Sequence, residues 1–92
     1  MKTIFKYPLN IDDELTIRMP QSARILAVQT QSETPCIWAL VESRAASCSR
    51  RLAVRGTGHE AEGLDNATYV GTFQLAGGAL VFHVFDRGES DA

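Results

Sequence analysis

The 92-residue chain has no apolar run near the roughly 18 residues that a membrane-spanning helix needs. Its start, Met1-Lys2-Thr3-Ile4-Phe5-Lys6-Tyr7-Pro8, puts a second charge and a proline where a signal peptide needs an apolar core. A cytoplasmic protein is expected. Cysteine is scarce: Cys36 and Cys48 are the only two, too few for a disulfide framework. They fall near the starts of successive strands, at opposite ends of any hairpin those strands form, and are expected as free thiols. Charge of one sign is also lacking. Nine Lys and Arg against eleven Asp and Glu leave −2, with no global attraction to nucleic acid, and no nucleic-acid partner is expected. No segment keeps a helical period long enough to make a helix.

What is present is alternation. Thr3, Phe5, Tyr7 and Leu9 share one face of a first strand. Leu15, Ile17 and Met19 share a face of the second, which Pro20 ends. Arg24 to Thr30 is a third strand, and Cys36 to Val41, carrying the only tryptophan, is a fourth. Arg50 to Arg55 alternates with Leu52 and Val54 inward and Arg51, Ala53 and Arg55 outward. Gly56 to Asn66 is irregular. Thr68 to Leu75 and Ala79 to Phe85, joined across Gly77-Gly78, are the closing strands. About seven short strands with turn residues between them predict an all-β fold, an antiparallel sandwich or a small barrel. Residues 1–86 are expected to form one β domain and 87–92 a flexible polar tail. Phe73, Leu80, Phe82 and Val84 are the predicted core of the closing strands. Because the last strand is apolar on both faces, a second cover is expected from a partner subunit, hence a homo-oligomer. Trp38 is core in one phase of its strand and an exposed anchor in the other.

Five segments carry a resemblance: Lys6-Tyr7-Pro8-Leu9, Pro35 to Val41, Gly56-Thr57-Gly58-His59, Tyr69 to Gln74, and Gly77 to Phe85. In these the chain resembles a family of short uncharacterised proteins found in tailed-phage and prophage gene sets. The resemblance implies a phage or prophage origin, hence the cytoplasm of a host cell, and no activity.

One stretch points to a ligand. Arg44, Arg50, Arg51 and Arg55 fall where no acid occurs between Glu42 and Glu60, and Gly56-Thr57-Gly58-His59 follows at once. Guanidinium groups make charge-assisted, bidentate contacts to phosphate, and glycines let backbone N–H groups approach an anion. Arg51, Arg55, Gly56, Thr57, Gly58 and His59 are therefore the candidate ligand-binding residues. The lysine, spacing and helix of a phosphate-binding nucleotide loop are missing. His59 and His83 are the only histidines and no Cys or His pair has zinc-ligand spacing, so neither metal nor cofactor is expected. No third group orients a Cys–His pair for nucleophilic chemistry. The expected function is therefore non-enzymatic: a phage or prophage accessory protein that binds a host factor or a small anionic ligand. The alternatives are a sequestering protein for a nucleotide-type signal and a structural part of the phage particle.

Overall fold

The computed structural model describes residues 1–90. Seven strands follow one another: β1 (Lys2–Pro8), β2 (Glu14–Pro20), β3 (Arg24–Gln31), β4 (Thr34–Glu42), β5 (Ser47–Gly56), β6 (Thr68–Leu75) and β7 (Leu80–Ser90). They form two antiparallel sheets, of order β1-β4-β3 and β2-β5-β7-β6. The sheets face each other as a sandwich and stay separate, so the barrel alternative does not hold. At one edge β3 runs beside β6, where the Thr30 hydroxyl donates to the Gln74 carbonyl at 3.3 Å. Only β3–β4 and β6–β7 are sequential hairpins. The other pairs, β1 with β4, β2 with β5 and β5 with β7, join strands distant in sequence.

Alternation decides which residues enter the core. On β4, Ile37, Ala39 and Val41 point inward and are all but fully buried. Opposite them on β1 stand Tyr7, Phe5 and Thr3. The main cluster joins Leu9, Val28 and Ile37 to Leu52, Val54, Phe73 and Val84 of the facing sheet. With Ile37 and Ala39 inward, Trp38 points outward and is half-buried. Its cross-strand neighbours there are Lys6 and Ala27.

Two sequence expectations need correction. Leu80 is 49% exposed and lies outside the core, because it stands at the tip of the β6–β7 hairpin, opposite Leu75 and beside the 3-10 turn Ala76–Gly78. Phe73 and Val84 are core residues, and Phe82 stacks on Phe73 with ring centroids 5.4 Å apart. The polar segment from Arg87 to Ser90 is strand, not frayed tail. Its register against β5 shifts by one residue at a bulge, so that Leu52 faces Asp86 but Arg51 faces Gly88. The bulge lets polar residues continue the ladder: Asp86 stays inward, where Arg50 meets it. The rest of the predicted tail lies outside the described residues.

Arg50 occupies an inward position of β5. Its Nε and Nη2 donate to the two Asp86 oxygens at 3.0 and 2.7 Å, and its Nη1 donates to the Ala23 carbonyl at 2.7 Å. One side chain thus ties β5 and β7 to the turn between β2 and β3. Burial pushes the Asp86 carboxyl up, but the Arg50 contacts and the Gly88 N–H outweigh it and hold it below the usual range. Nearby, the Cys48 thiol donates to Glu89 at 2.9 Å, which pushes that thiol up. Cys36 and Cys48 are both free and buried.

Candidate ligand face

The outer face of the four-stranded sheet collects the charge that the sequence disperses. On β5 the outward positions are Ser49, Arg51, Ala53 and Arg55; on β2 they are Glu14, Thr16 and Arg18. Arg87 reaches in from the bulge in β7. Across these positions four arginines meet one carboxylate, in a chain whose net charge is −2.

That carboxylate is Glu14, opposite Ala53. Arg55 donates to Glu14 Oε2 at 2.9 Å and to the Asp13 carbonyl at 2.6 Å. From the other side Arg87 donates through Nε and Nη2 to both Glu14 oxygens, at 2.7 and 3.0 Å, and through Nη1 to the Gly63 carbonyl at 2.9 Å. The Arg87 hydrogen bonds hold the Glu14 carboxyl below its usual range, partial burial opposes them, and Arg55 adds to the lowering. Ala53 points outward yet is fully buried, because the Arg87–Glu14 bridge passes over β5 at that point.

The expectation that no carboxylate competes for Arg55 therefore fails. The competitor comes from β2, 41 residues away in the chain. Arg51 differs. It is exposed, stands between Thr16 of β2 and Gly88 of β7, and its side chain makes no hydrogen bond with any described residue. Gly88 has a φ of 95° and open space where a Cβ would project, so the sheet beside Arg51 is uncovered.

The turn after β5 is built for itself. The Thr57 N–H donates to the Val81 carbonyl at 3.1 Å and the His59 N–H to the Gly56 carbonyl at 3.0 Å, which spends two of the donors expected to cradle an anion. A Cβ on Gly56 would lie 2.8 Å from the His59 ring. The glycine thus admits an imidazole, not a phosphate. Gly56, Thr57 and His59 line a cleft of about 220 Å³ with Ala79 to Phe82, away from Arg51. Of the six predicted site residues, Gly56, Thr57 and His59 line this cleft, while the Arg55 side chain is engaged by Glu14 and Asp13.

The sequence reading missed a second constellation. The Tyr69 hydroxyl and Thr72 Oγ1 are 2.6 Å apart, Thr72 Oγ1 and His83 Nδ1 2.9 Å, and His83 Nε2 and Thr57 Oγ1 2.7 Å. Both imidazole nitrogens are engaged. Three sequence segments singled out separately meet here, on the outer face of β6 and β7. His83 is a half-exposed brace between two threonines. Tyr69 is 57% exposed, yet its ring is held by Thr72 at the hydroxyl and by an edge contact with Phe85, centroids 5.6 Å apart. The outward alternation of Val81, His83 and Phe85 was legible, and continuing it finds Arg87. On β2 the same alternation puts Glu14 outward, but nothing in the sequence signals the pairing with β5 that brings it to Arg55 and Arg87.

No helix among the described residues is long and apolar enough to cross a membrane. The model of a family described as a domain of unknown function, DUF7352, matches residues 1–92, and the chain belongs to that family. No curated protein and no solved structure matches it.

Proposed function

We propose that this DUF7352 protein works by binding, without catalysing a reaction, and that it takes a phosphate-bearing ligand on the outer face of its four-stranded sheet. The observation that carries this reading is Arg51, an exposed guanidinium with no partner among the described residues, beside two further arginines already ordered by Glu14. An ordered arginine loses less entropy on taking a ligand than a free one. The site moves accordingly from the Gly56–His59 turn to Arg51, Thr16, Gly88 and Arg87. The phage or prophage origin and the host cytoplasm belong to the same proposal, and rest on the sequence resemblance alone.

A homo-oligomer is also part of it. The outer face of the three-stranded sheet carries Trp38 and Leu40 with the exposed Ile4 and Leu26, an apolar surface that a second copy would cover. Light scattering at micromolar concentration tests this. A strict monomer would remove the oligomer from the proposal and leave the ligand face standing.

The test of the ligand face is titration of inorganic phosphate and pyrophosphate, followed by calorimetry, on the parent and on Arg51→Ala. A guanidinium–phosphate contact of about 1.5–3 kcal/mol predicts roughly 10- to 150-fold weaker binding in the variant. The difference should narrow at high salt. Equal binding by both proteins, or none by either, would leave Arg51 a solvated side chain.

A further inference from the structure

The arginines of this face stand next to an aromatic pair. Tyr69, Phe85, Ala53 and Glu14 occupy one cross-strand row, running over β6, β7, β5 and β2. Arg87 spans the middle of that row to reach Glu14. One half of the face is thus aromatic and the other cationic, and the two halves touch at β7.

Tyr69 is an unusual exposed aromatic. An unrestrained surface tyrosine samples several rotamers and offers no fixed plane. Here Thr72 fixes the hydroxyl and Phe85 supports the ring, while more than half of the residue stays open to solvent. Thr72 is fixed in turn by His83, and His83 by Thr57. The chain of hydrogen bonds holds the plane of one ring. Two strand spacings, about 10 Å, separate Tyr69 from β5. A ribose phosphate and an arginine side chain together bridge such a distance.

We propose that the ligand is a nucleotide unit, its base stacked on Tyr69 and its phosphate held by Arg87 and Arg51. This rests on the binding reading above and names the ligand class for the same face. Thr72, His83 and Thr57 are positioning residues, since they act through the Tyr69 ring. Base–aromatic stacking depends little on which base is present, because every base has a π-face. The same chemistry is offered by a free nucleotide and by one residue of a single strand. The local surplus of arginine admits either, despite the acidic whole.

The experiment compares inorganic phosphate, adenosine monophosphate and a short oligothymidylate by calorimetry on the intact protein. The parent is expected to bind both nucleotide probes at least 5-fold more tightly than phosphate. Tyr69→Leu should lose roughly 5- to 150-fold in nucleotide affinity and nothing in phosphate affinity, the range that one stacked base supplies. Tyr69→Phe keeps the ring and its Phe85 contact but loses the hydroxyl anchor, so its nucleotide affinity should fall between those of the parent and Tyr69→Leu, with phosphate affinity unchanged, which separates stacking from loss of fold. Tighter binding of the oligothymidylate than of the monophosphate identifies a strand as the source; the reverse identifies a free nucleotide. Equal affinity for phosphate and both nucleotide probes, with Arg51 still required, would overturn this inference and spare the binding reading. No binding of any probe would sink both.

Discussion

At the scale of single residues, two glycines separate close packing from convenience. A Cβ at Gly71 would sit 2.9 Å from Val28 Cγ1, and Val28 is buried in the main core. A Cβ at Gly56 would meet the ring of His59, which is exposed and can swing away. Gly71→Ala should therefore cost about 1–3 kcal/mol by overpacking, and Gly56→Ala under about 1 kcal/mol. Urea denaturation of the two variants measures the difference. Equal costs would mean that β6 is free to move away from β3 there.

The Arg50–Asp86 pair makes a second claim at this scale. The Asp86 carboxyl is held below its unfolded value, so its contribution is present above the unfolded pKa of about 4 and is lost as pH falls through the lower folded value. Stability should decline from about pH 4 downward, and Asp86→Asn should flatten part of that decline. It should also destabilise the protein at neutral pH by about 3–5 kcal/mol, because Arg50 is left buried without its carboxylate. Stability profiles of parent and variant that stay parallel down to pH 2 would show that the pair does not form.

At the scale of elements, β7 is the organising strand. It pairs with β5 on one side and β6 on the other, and its inward residues reach the main core. The predicted costs follow position along it. Phe73→Ala, on the paired β6, should cost about 3–5 kcal/mol, while Leu80→Ala at the hairpin tip should cost under about 0.5 kcal/mol. A Leu80→Ala loss comparable to that of Phe73→Ala would mean that the hairpin tip is covered in solution.

The elements were readable because side chains two apart share a face. All seven strands lie where alternation puts them, most of them extended by one to three residues at their ends. β7 ran furthest beyond its sequence signal. Arg87-Gly88-Glu89-Ser90 contains nothing that favours a strand, and only pairing with β5 across a bulge keeps it extended. The phase of β4 was undecided for Trp38 because both of its faces are apolar. The facing sheet decides it by filling the core with Ile37, Ala39 and Val41.

At the scale of the whole molecule, the two outer faces differ in kind. The three-stranded sheet shows Trp38, Leu40, Ile4 and Leu26; the four-stranded sheet shows arginines and an anchored tyrosine. Composition could not announce this, since a net charge of −2 averages over both faces. Local reading also could not rank the arginines of β5. Arg51 and Arg55 look equivalent along β5, but Glu14 from β2 takes one and leaves the other. Pairings between distant strands fixed that outcome, and no local pattern encodes them. Burial at this scale also makes a chemical prediction: Cys36 and Cys48 should resist a maleimide reagent in the native protein and react fully in denaturant. Rapid native labelling of either would show that the sandwich opens at that strand.

The most direct test of the ligand face is an amide chemical-shift titration of the isotopically labelled protein with pyrophosphate. The arginine face predicts shifts concentrated at Thr16, Arg51, Arg87 and Gly88, saturating together and vanishing in Arg51→Ala. Shifts confined to Gly56–His59 and Ala79–Phe82, or none at saturating ligand, would contradict it.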